Sequence, residues 1–563
     1  MNRIWRVKEP HPDLSLSLAR SLSISHVTAQ LLINRGITDE MQAHHFLYGD
    51  MGACHDPFLL KDMKKAVARI QRAIKDGEEI LLYGDYDVDG ITSIALLKIV
   101  LLHLKAVVST YIPNRLEEGY GLNDGAIKLA RRNKIDLIIT ADCGISAIKE
   151  VELANKFGID IIITDHHEIK SALLPDAYAI INPLQKDCPY PFKHLSGVGI
   201  AYKLAMALVH DTPYPIEDHL DLVALGTVSD LSAQKGENRI LTRIGLKRLS
   251  TTKKAGIKAL IEVGGLKGKT ISCSHIGYVL GPRINAMGRI GSPDVALELL
   301  LTSDMNEAGK IADRLNSENR NRQKIERLVL EEALEKMKRE INFKDSRVIV
   351  LAGQGWHCGV IGIVASRIID RFYRPTIMIA TEDGIGKGSG RSIYNFHLFN
   401  AINSCKELLE DFGGHAGACG LSIKEANITA FTSRINEIAK REIQDEDLSP
   451  RLDIDLEVQL SDINEKLVEE MELLVPFGPE NPRPVLSSSN VYLKNDPRRL
   501  AKNGIKMWVT DDKTTCEAVS FRADDFSVPS KGSKVNLVYS PSINTWQGLS
   551  TLQLDLKDLK MVL

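Results

Sequence analysis

Between residues 80 and 181, short β-branched runs alternate with helical segments, a pattern that few folds accommodate. Ile80–Tyr83 (ILLY), Val107–Ile112, Ile135–Thr140 (IDLIIT), Ile159–Thr164 (IDIIIT) and Ala177–Ile181 read as strands. Ile91–Leu104, Gly125–Arg132 and Ile145–Phe157 read as helices between them. Runs this continuously apolar belong to strands buried on both faces, so the pattern predicts a parallel sheet with helices on each side. Such sheets bind ligands at the carboxyl ends of their strands.

Those ends carry acids. The first strand runs into Gly84-Asp85-Tyr86-Asp87-Val88-Asp89-Gly90. Three carboxylates at alternate positions lie on one side of an extended loop, and their mutual repulsion calls for a cation. Oxygen donors of this kind favour Mg²⁺ or Mn²⁺. An Asp-rich turn is the bland alternative. A calcium loop is a poor match, because its twelfth position would be Leu96 rather than Glu. The pattern repeats at Asp142-Cys143-Gly144 and again at Asp165-His166-His167-Glu168. Asp230, at the end of a predicted helix, is a fourth candidate; alone it would pass for a cap. Together these groups suggest two cations sharing a carboxylate, an arrangement suited to in-line displacement at phosphorus.

Residues 195–300 read as mostly helical, and 306–339 as one long charged connector helix. A second α/β unit starts at Val348 and runs to about residue 440. Acidic Glu442–Asp447 and Pro450 form a candidate linker. Beyond Arg451, five or six short strands in about 110 residues predict a small β-barrel.

Charge narrows the function classes. With 71 Lys+Arg against 73 Asp+Glu, the net charge is −2. Bulk positive charge therefore does not hold a nucleic acid, although a groove with concentrated basic residues still can. The 563 residues imply about three to five domains. Eight scattered cysteines without CxxC spacing suit a reducing cytosol. No secretory leader is recognisable and no apolar run reaches 18 residues. The expectation is a cytoplasmic protein with no membrane attachment.

In order and spacing, Asp85-Tyr86-Asp87-Val88-Asp89-Gly90, Asp142-Cys143-Gly144, Asp165-His166-His167 and Asp230 resemble the four motifs of the DHH phosphoesterase superfamily. Gly413-Gly414-His415-Ala416-Gly417-Ala418-Cys419-Gly420 is similar to the glycine-rich loop of the DHH-associated second domain. The length, the segment Gly281-Pro282-Arg283-Ile284-Asn285-Ala286-Met287-Gly288-Arg289 and the terminal β module narrow the resemblance to the single-strand-specific 5′→3′ DNA exonucleases of that superfamily. It covers roughly residues 50–563.

The resemblance implies an α/β fold in five parts. These are an N-terminal helical segment (1–50), a DHH catalytic domain with a parallel sheet (51–305), a connector helix (306–345), a smaller DHH-associated α/β domain that binds nucleic acid (346–445) and an OB-like β-barrel (450–563). It implies two Mn²⁺ or Mg²⁺ ions. Asp87 and Asp142 would hold one; Asp89, Asp142, His166 and Asp230 would hold the other. Asp85 and Asp165 would support the site catalytically, and His167 would face the scissile phosphate or leaving oxygen. Many relatives carry His where this chain has Tyr83, a poor ligand, so the first ion would rely more on water or Asp85. Arg283, Asn285, Arg289, Arg367, Arg391 and His415 would contact DNA. Tyr492, Trp508, Tyr539 and Trp546 are candidates for stacking bases, or else barrel core.

The implied activity is hydrolysis of single-stranded DNA from its 5′ end to 5′-mononucleotides, in recombination and repair. Single-strand binding protein is a frequent partner of such enzymes. Oligoribonucleases and cyclic-dinucleotide phosphodiesterases of the superfamily are rivals, but they are much shorter and lack the terminal β module; pyrophosphatases of the superfamily lack the nucleic-acid segments. A non-catalytic DNA-binding replication factor is a rival of another class, disfavoured because the motif acids and both histidines are intact.

Overall fold

The computed structural model describes residues 3–114, 118–119, 121–169, 173–501, 503–521, 528–546 and 549–562. The chain opens with strand β1 (Ile4–Val7) and helices α1 (Pro12–Leu22), α2 (His26–Ile33) and α3 (Glu40–Tyr48). The first sheet follows: β2 (Glu79–Gly84), β3 (Val107–Tyr111), β4 (Leu137–Ala141), β5 (Asp160–Thr164) and β6 (Ala179–Ile181). Its order is β3-β2-β4-β5-β6, every pairing parallel. Alternate residues feed two cores. Leu82, Ile139 and Ile162 join one face, while Leu81, Tyr83, Ile138 and Ile163 join the other. This double burial is why the strands read as continuous apolar runs.

Helix α4 (Val88–His103) starts inside the first acidic motif, because Asp87 caps it by accepting from the amides of Asp89 (2.9 Å) and Gly90 (3.1 Å). Helices α5 (Gly197–Leu208), α6 (Leu220–Ser229), α7 (Gly236–Ser250) and α8 (Gly281–Ile290) complete this part. The connector is α9 (Met305–Glu340), 36 residues and so about 54 Å long.

Past it, a mixed sheet has the order β10-β11-β9-β8-β7. Its strands are β7 (Ile349–Gln354), β8 (Thr376–Glu382), β9 (Ile385–Arg391), β10 (Leu409–His415) and β11 (Ala418–Lys424). Helices α10 (Cys358–Phe372) and α11 (Leu398–Asn403) pack with it.

The terminal module holds β12 (Arg451–Ile454), β13 (Leu456–Glu457), β14 (Leu486–Leu493), β15 (Arg498–Leu500), β16 (Gly504–Thr510), β17 (Thr515–Ser520), β18 (Lys534–Trp546) and β19 (Leu549–Met561). Strands β14-β18-β19-β17-β16 close on themselves through the β14–β16 pairing, giving a five-stranded barrel.

The N-terminal segment differs from its expectation. It is helical over α1–α3, but Ile4–Val7 forms a strand that pairs in parallel with Arg451–Ile454. Its apolar side shares one core with the barrel, Leu18, Leu31 and Leu47 lying with Leu467, Leu486 and Val535. Arg239 on α7 ties the assembly together. Fully buried, it donates to the carbonyls of Phe46 (2.9 Å), Leu474 (2.7 Å) and Leu473 (2.7 Å) and stacks on the Phe46 ring.

Candidate metal centre and nucleic-acid cleft

Asp85, Asp142 and Asp165 leave β2, β4 and β5 at adjacent carboxyl ends, so the parallel register alone brings them together. Asp89 sits in the first turn of α4 with no solvent exposure. The amides of Gly197 (2.7 Å) and Val198 (2.9 Å), at the start of α5, donate to its two oxygens. Asp142 adopts a left-handed backbone with φ 62°. A Cβ on Gly197 would lie 2.6 Å from Asp142 Oδ1, so only glycine lets α5 approach this closely. Asp230 caps α6 and accepts from the Ser232 hydroxyl.

Three overlapping groups of donor atoms result: Asp85, Asp87 and Asp142; Asp89, His166 and Asp230; and Asp142, His166 and His167. Within each, the donors lie within 4.8 Å of one another. His166 Nε2 is 3.1 Å from Asp142 Oδ1 and 4.0 Å from Asp230 Oδ1. Among the described residues no hydrogen bond satisfies this buried nitrogen.

The electrostatics match a centre built for cations. Burial, then the charge of Asp89, pushes the Asp142 carboxyl well above the usual range. Burial and Asp230 push Asp89 to about 7. Burial opposes a charge on His166, but Asp230, Asp89, Asp165 and Asp87 outweigh it and raise the imidazole. Crowded acids and imidazole with an unsatisfied nitrogen fit hard divalent ions.

Asp165 is set apart from the other acids. It accepts from the Ile145 amide (2.9 Å), the His167 amide (3.0 Å) and His167 Nδ1 (2.7 Å). Burial alone would raise its carboxyl, but the bonds and charge from His167 hold it low. Burial likewise disfavours a charged His167, yet Asp165 raises that ring to about 9. His167 is half-exposed and its ring is oriented by Asp165.

Tyr83 lies apart from all three groups. Its hydroxyl donates to the Gly121 carbonyl (2.8 Å), accepts from Asn123 Nδ2 (3.2 Å), and its ring stacks on Tyr111. Asp85 is the residue that joins Asp87 and Asp142 instead.

A hollow of about 310 Å³ lies over the acids, lined by Asp85, Asp87, His167, Asp230, Asn285 and Arg289. Gly288 makes this possible, since a Cβ there would lie 2.7 Å from the Tyr86 carbonyl. That approach lets Asn285 Oδ1 accept from the Val88 amide (3.1 Å). A larger cleft of about 950 Å³ adjoins at His167. One wall is Gly144–Ala147 and Asp165; the other, from the second domain, is His397, Phe399 and Gly414–Ala416, including His415. His397 and Phe399 carry no motif, and only the fold brings them opposite His167.

The arginines are spread more widely. Arg289 donates to the Gly359 carbonyl (3.0 Å) at the start of α10. Arg391, on β9, donates to Ser389 Oγ (3.2 Å) and the Gly390 carbonyl (2.8 Å). Arg283 donates to Asn316 Oδ1 (3.2 Å) and the Val279 carbonyl (2.6 Å). Arg367 pairs with Glu326 on the connector.

On the barrel, Tyr492 and Trp508 are exposed on neighbouring strands, with Lys534 and Lys506 each 5.9 Å from their rings. Tyr539 is not a surface aromatic. It is wholly buried, its hydroxyl 2.7 Å from Ser488 Oγ, because its position on β18 faces the barrel core. The side chain of Trp546 lies outside the described residues.

An acid-lined parallel sheet facing a second α/β domain across a cleft defines a DHH-type phosphoesterase. The DHH family N-terminal domain matches residues 79–227, the DHHA1 domain 345–441 and the RecJ OB domain 454–558. The chain belongs to the RecJ family. It is 40% identical over 561 residues to the single-stranded-DNA-specific exonuclease RecJ of Bacillus subtilis, covering 98% of this chain and 70% of that protein. It is 35% identical over 520 residues to RecJ of Escherichia coli, covering 88% and 89%. The crystal structure of RecJ in complex with Mn²⁺ from Thermus thermophilus superposes with a TM-score of 0.85 at 28% identity, covering 99% of this chain and 79% of that one. The Mg²⁺ complex gives 0.80 at 27%, covering 99% and 78%. No described helix is long and apolar enough to cross a membrane.

Proposed function

We propose that this chain is a single-stranded-DNA-specific 5′→3′ exonuclease that releases 5′-mononucleotides by hydrolysis in recombination and repair. The observation that carries the reading is the set of three overlapping donor groups beside a cleft shared with the second domain. Its RecJ relatives act on single strands.

In this reading Asp87 and Asp142, with Asp85 beside them, hold one Mn²⁺ or Mg²⁺. Asp89, Asp142, His166 and Asp230 hold a second. When bound, such ions supply the Lewis acidity that lowers the pKa of a water and offsets phosphate charge. The protein's own groups do the rest. Asp165 keeps His167 oriented and protonated toward the leaving oxygen, where general-acid help is worth roughly 10²–10⁴ in rate. Asn285, Arg289 and His415 position the scissile phosphate, Arg391 takes a phosphate in the second domain, and Arg283 and Arg367 guide the strand. The functional division follows residues 1–50, 51–305, 306–345, 346–445 and 450–563. The setting is the cytoplasm, in keeping with eight free thiols, with single-strand binding protein as a partner.

The direct test uses single strands labelled at either end, incubated with purified protein and Mn²⁺ or Mg²⁺. Early release of the 5′ label as a mononucleotide is expected; earlier release of the 3′ label would overturn the polarity.

Two kinds of variant probe the strand contacts. Arg391→Ala is expected to weaken single-strand binding and flatten its log-salt slope by about 0.7, the value for one lost phosphate contact. An unflattened slope would make Arg391 a structural residue. Trp508→Ala and Tyr492→Ala are each expected to weaken long-strand binding about tenfold, within the roughly 1–3 kcal/mol of one stacked base. Tyr539→Phe should lower the melting temperature and leave affinity alone. Fluorescence anisotropy on a long oligonucleotide separates these outcomes.

A further inference from the structure

The buried stripe of the connector α9 changes character along its length. Toward the first domain it is Ala308, Ile311, Ala312 and Leu315; toward the second it is Val329, Ala333 and Met337. Between them, at the same helical spacing, stand Asn316, Asn319, Arg322 and Glu326, all buried. An apolar stripe throughout would hold the junction at least as well, because a buried ion pair is seldom more stable than a well-packed apolar substitute. Stability therefore does not explain these four residues.

Their bonds point elsewhere. Arg322 is spent within the helix, donating from Nε and Nη2 to Asn319 Oδ1 and from Nη1 to Glu326 Oε2 (2.8 Å). The other oxygen of Glu326 takes Nε of Arg367, on α10 of the second domain. Glu326 is 4% exposed, whereas the Arg367 side chain is 57% exposed. Arg367 is thus gripped at Nε by a buried carboxylate, its side chain is more than half exposed, and among the described residues its terminal nitrogens make no hydrogen bond. At the other end of the stripe, Asn316 accepts from Nε of Arg283 of the first domain, but there a terminal nitrogen, Nη1, is also taken, by the Val279 carbonyl. Ten residues of α-helix, roughly 15 Å, separate the two grips.

We infer that Glu326 is a positioning residue: it presents Arg367 of the second domain to the DNA backbone from the connector. The inference rests on the exonuclease reading above. A planar guanidinium held at Nε keeps its terminal fork free for bidentate phosphate contact. Without the carboxylate, Arg367 must be ordered at each binding event.

The test compares full-length Glu326→Ala, Glu326→Gln, Arg367→Ala and the double variant Glu326→Ala/Arg367→Ala on a long single strand. Glu326→Ala should raise KM several-fold with less than a twofold fall in kcat. It should flatten the log-salt slope by about 0.7, as Arg367→Ala does. The double variant should be no worse than Arg367→Ala, and Glu326→Gln, which still accepts from Nε, should recover at least half the loss. A wild-type slope in Glu326→Ala beside a flattened one in Arg367→Ala would overturn the inference while leaving the DNA contact standing. A wild-type slope in Arg367→Ala would remove that contact and the inference with it. Should Glu326→Ala fail to fold, Glu326→Gln and Glu326→Asp carry the comparison. A shortened side chain that leaves KM and slope untouched then overturns the inference.

Discussion

Asp142→Asn is expected to reduce metal-dependent hydrolysis more than about 10³-fold while making the metal-free protein more stable. Asp142 is the only residue common to the first and third donor groups, and it lies 3.1 Å from the His166 nitrogen of the second. Its loss touches all three donor groups, so the effect should exceed the roughly 10–100-fold typical of outer partners. Asparagine is the proper substitution, because the backbone at 142 is left-handed and Asn tolerates that conformation better than Ala. The stability sign follows from linkage. Burial and the neighbouring acids raise this carboxyl in the folded state, so the folded state holds its proton more tightly than the unfolded chain. Stability is then lost as pH rises from the ordinary carboxylate range through the raised value. A neutral side chain abolishes that loss, and the metal-free melting temperature at pH 7 should rise. Near-normal turnover at saturating Mn²⁺ would refute the shared role of Asp142, and an unchanged or lower melting temperature would refute the electrostatic account.

The second large effect concerns where the chain can be cut. Removing residues 450–563 alone should give an aggregating protein. That cut takes away β12, the partner of β1, and the barrel half of the core that buries Leu18, Leu31 and Leu47. It also removes two of the three carbonyls around the buried Arg239 guanidinium, and a buried charge stripped of its acceptors is costly. Removing residues 1–50 as well takes the orphaned helices with it. The remaining piece, 51–449, should fold and hydrolyse a trinucleotide. Its rate on a long strand should fall roughly tenfold or more, since each lost stacked base is worth about 1–3 kcal/mol. Circular dichroism and size exclusion report folding, and initial rates on the two substrates report function. A soluble, cooperative 1–449 would contradict the shared core. A long-to-short rate ratio in 51–449 equal to that of the full chain would show that the barrel does not grip the trailing strand.

How far the sequence reveals all this depends on the range of the interactions. The first sheet is readable because strand burial leaves a local signature, and the acids because they follow those strands directly. His166 and His167 are readable for the same reason, and their unlike settings come from Asp165, just upstream. The barrel's strands are visible, but not its inside. Tyr539 and Tyr492 look alike in sequence, and only closure through β14 and β16 turns one inward and leaves the other exposed. His397 and Phe399 reach the cleft through the packing of two domains, which no local pattern encodes. The turning of Arg283 and Arg367 toward the connector is likewise a property of three helices together. Strand β1 has the least chance of being found, since its partner among the described residues, Arg451–Ile454, lies about 450 residues away.

That partnership also sets a timetable for biosynthesis. The helices of residues 12–48 are made about 400 residues ahead of the surface that buries them, which begins near Val458. At roughly 5–20 residues per second, a nascent chain carries these unburied apolar helices for some 20–80 s. Two segments far apart in the chain thus form a module that closes only after the second is made, and through that interval the emerging protein is a natural client for whatever shields apolar helices at the ribosome.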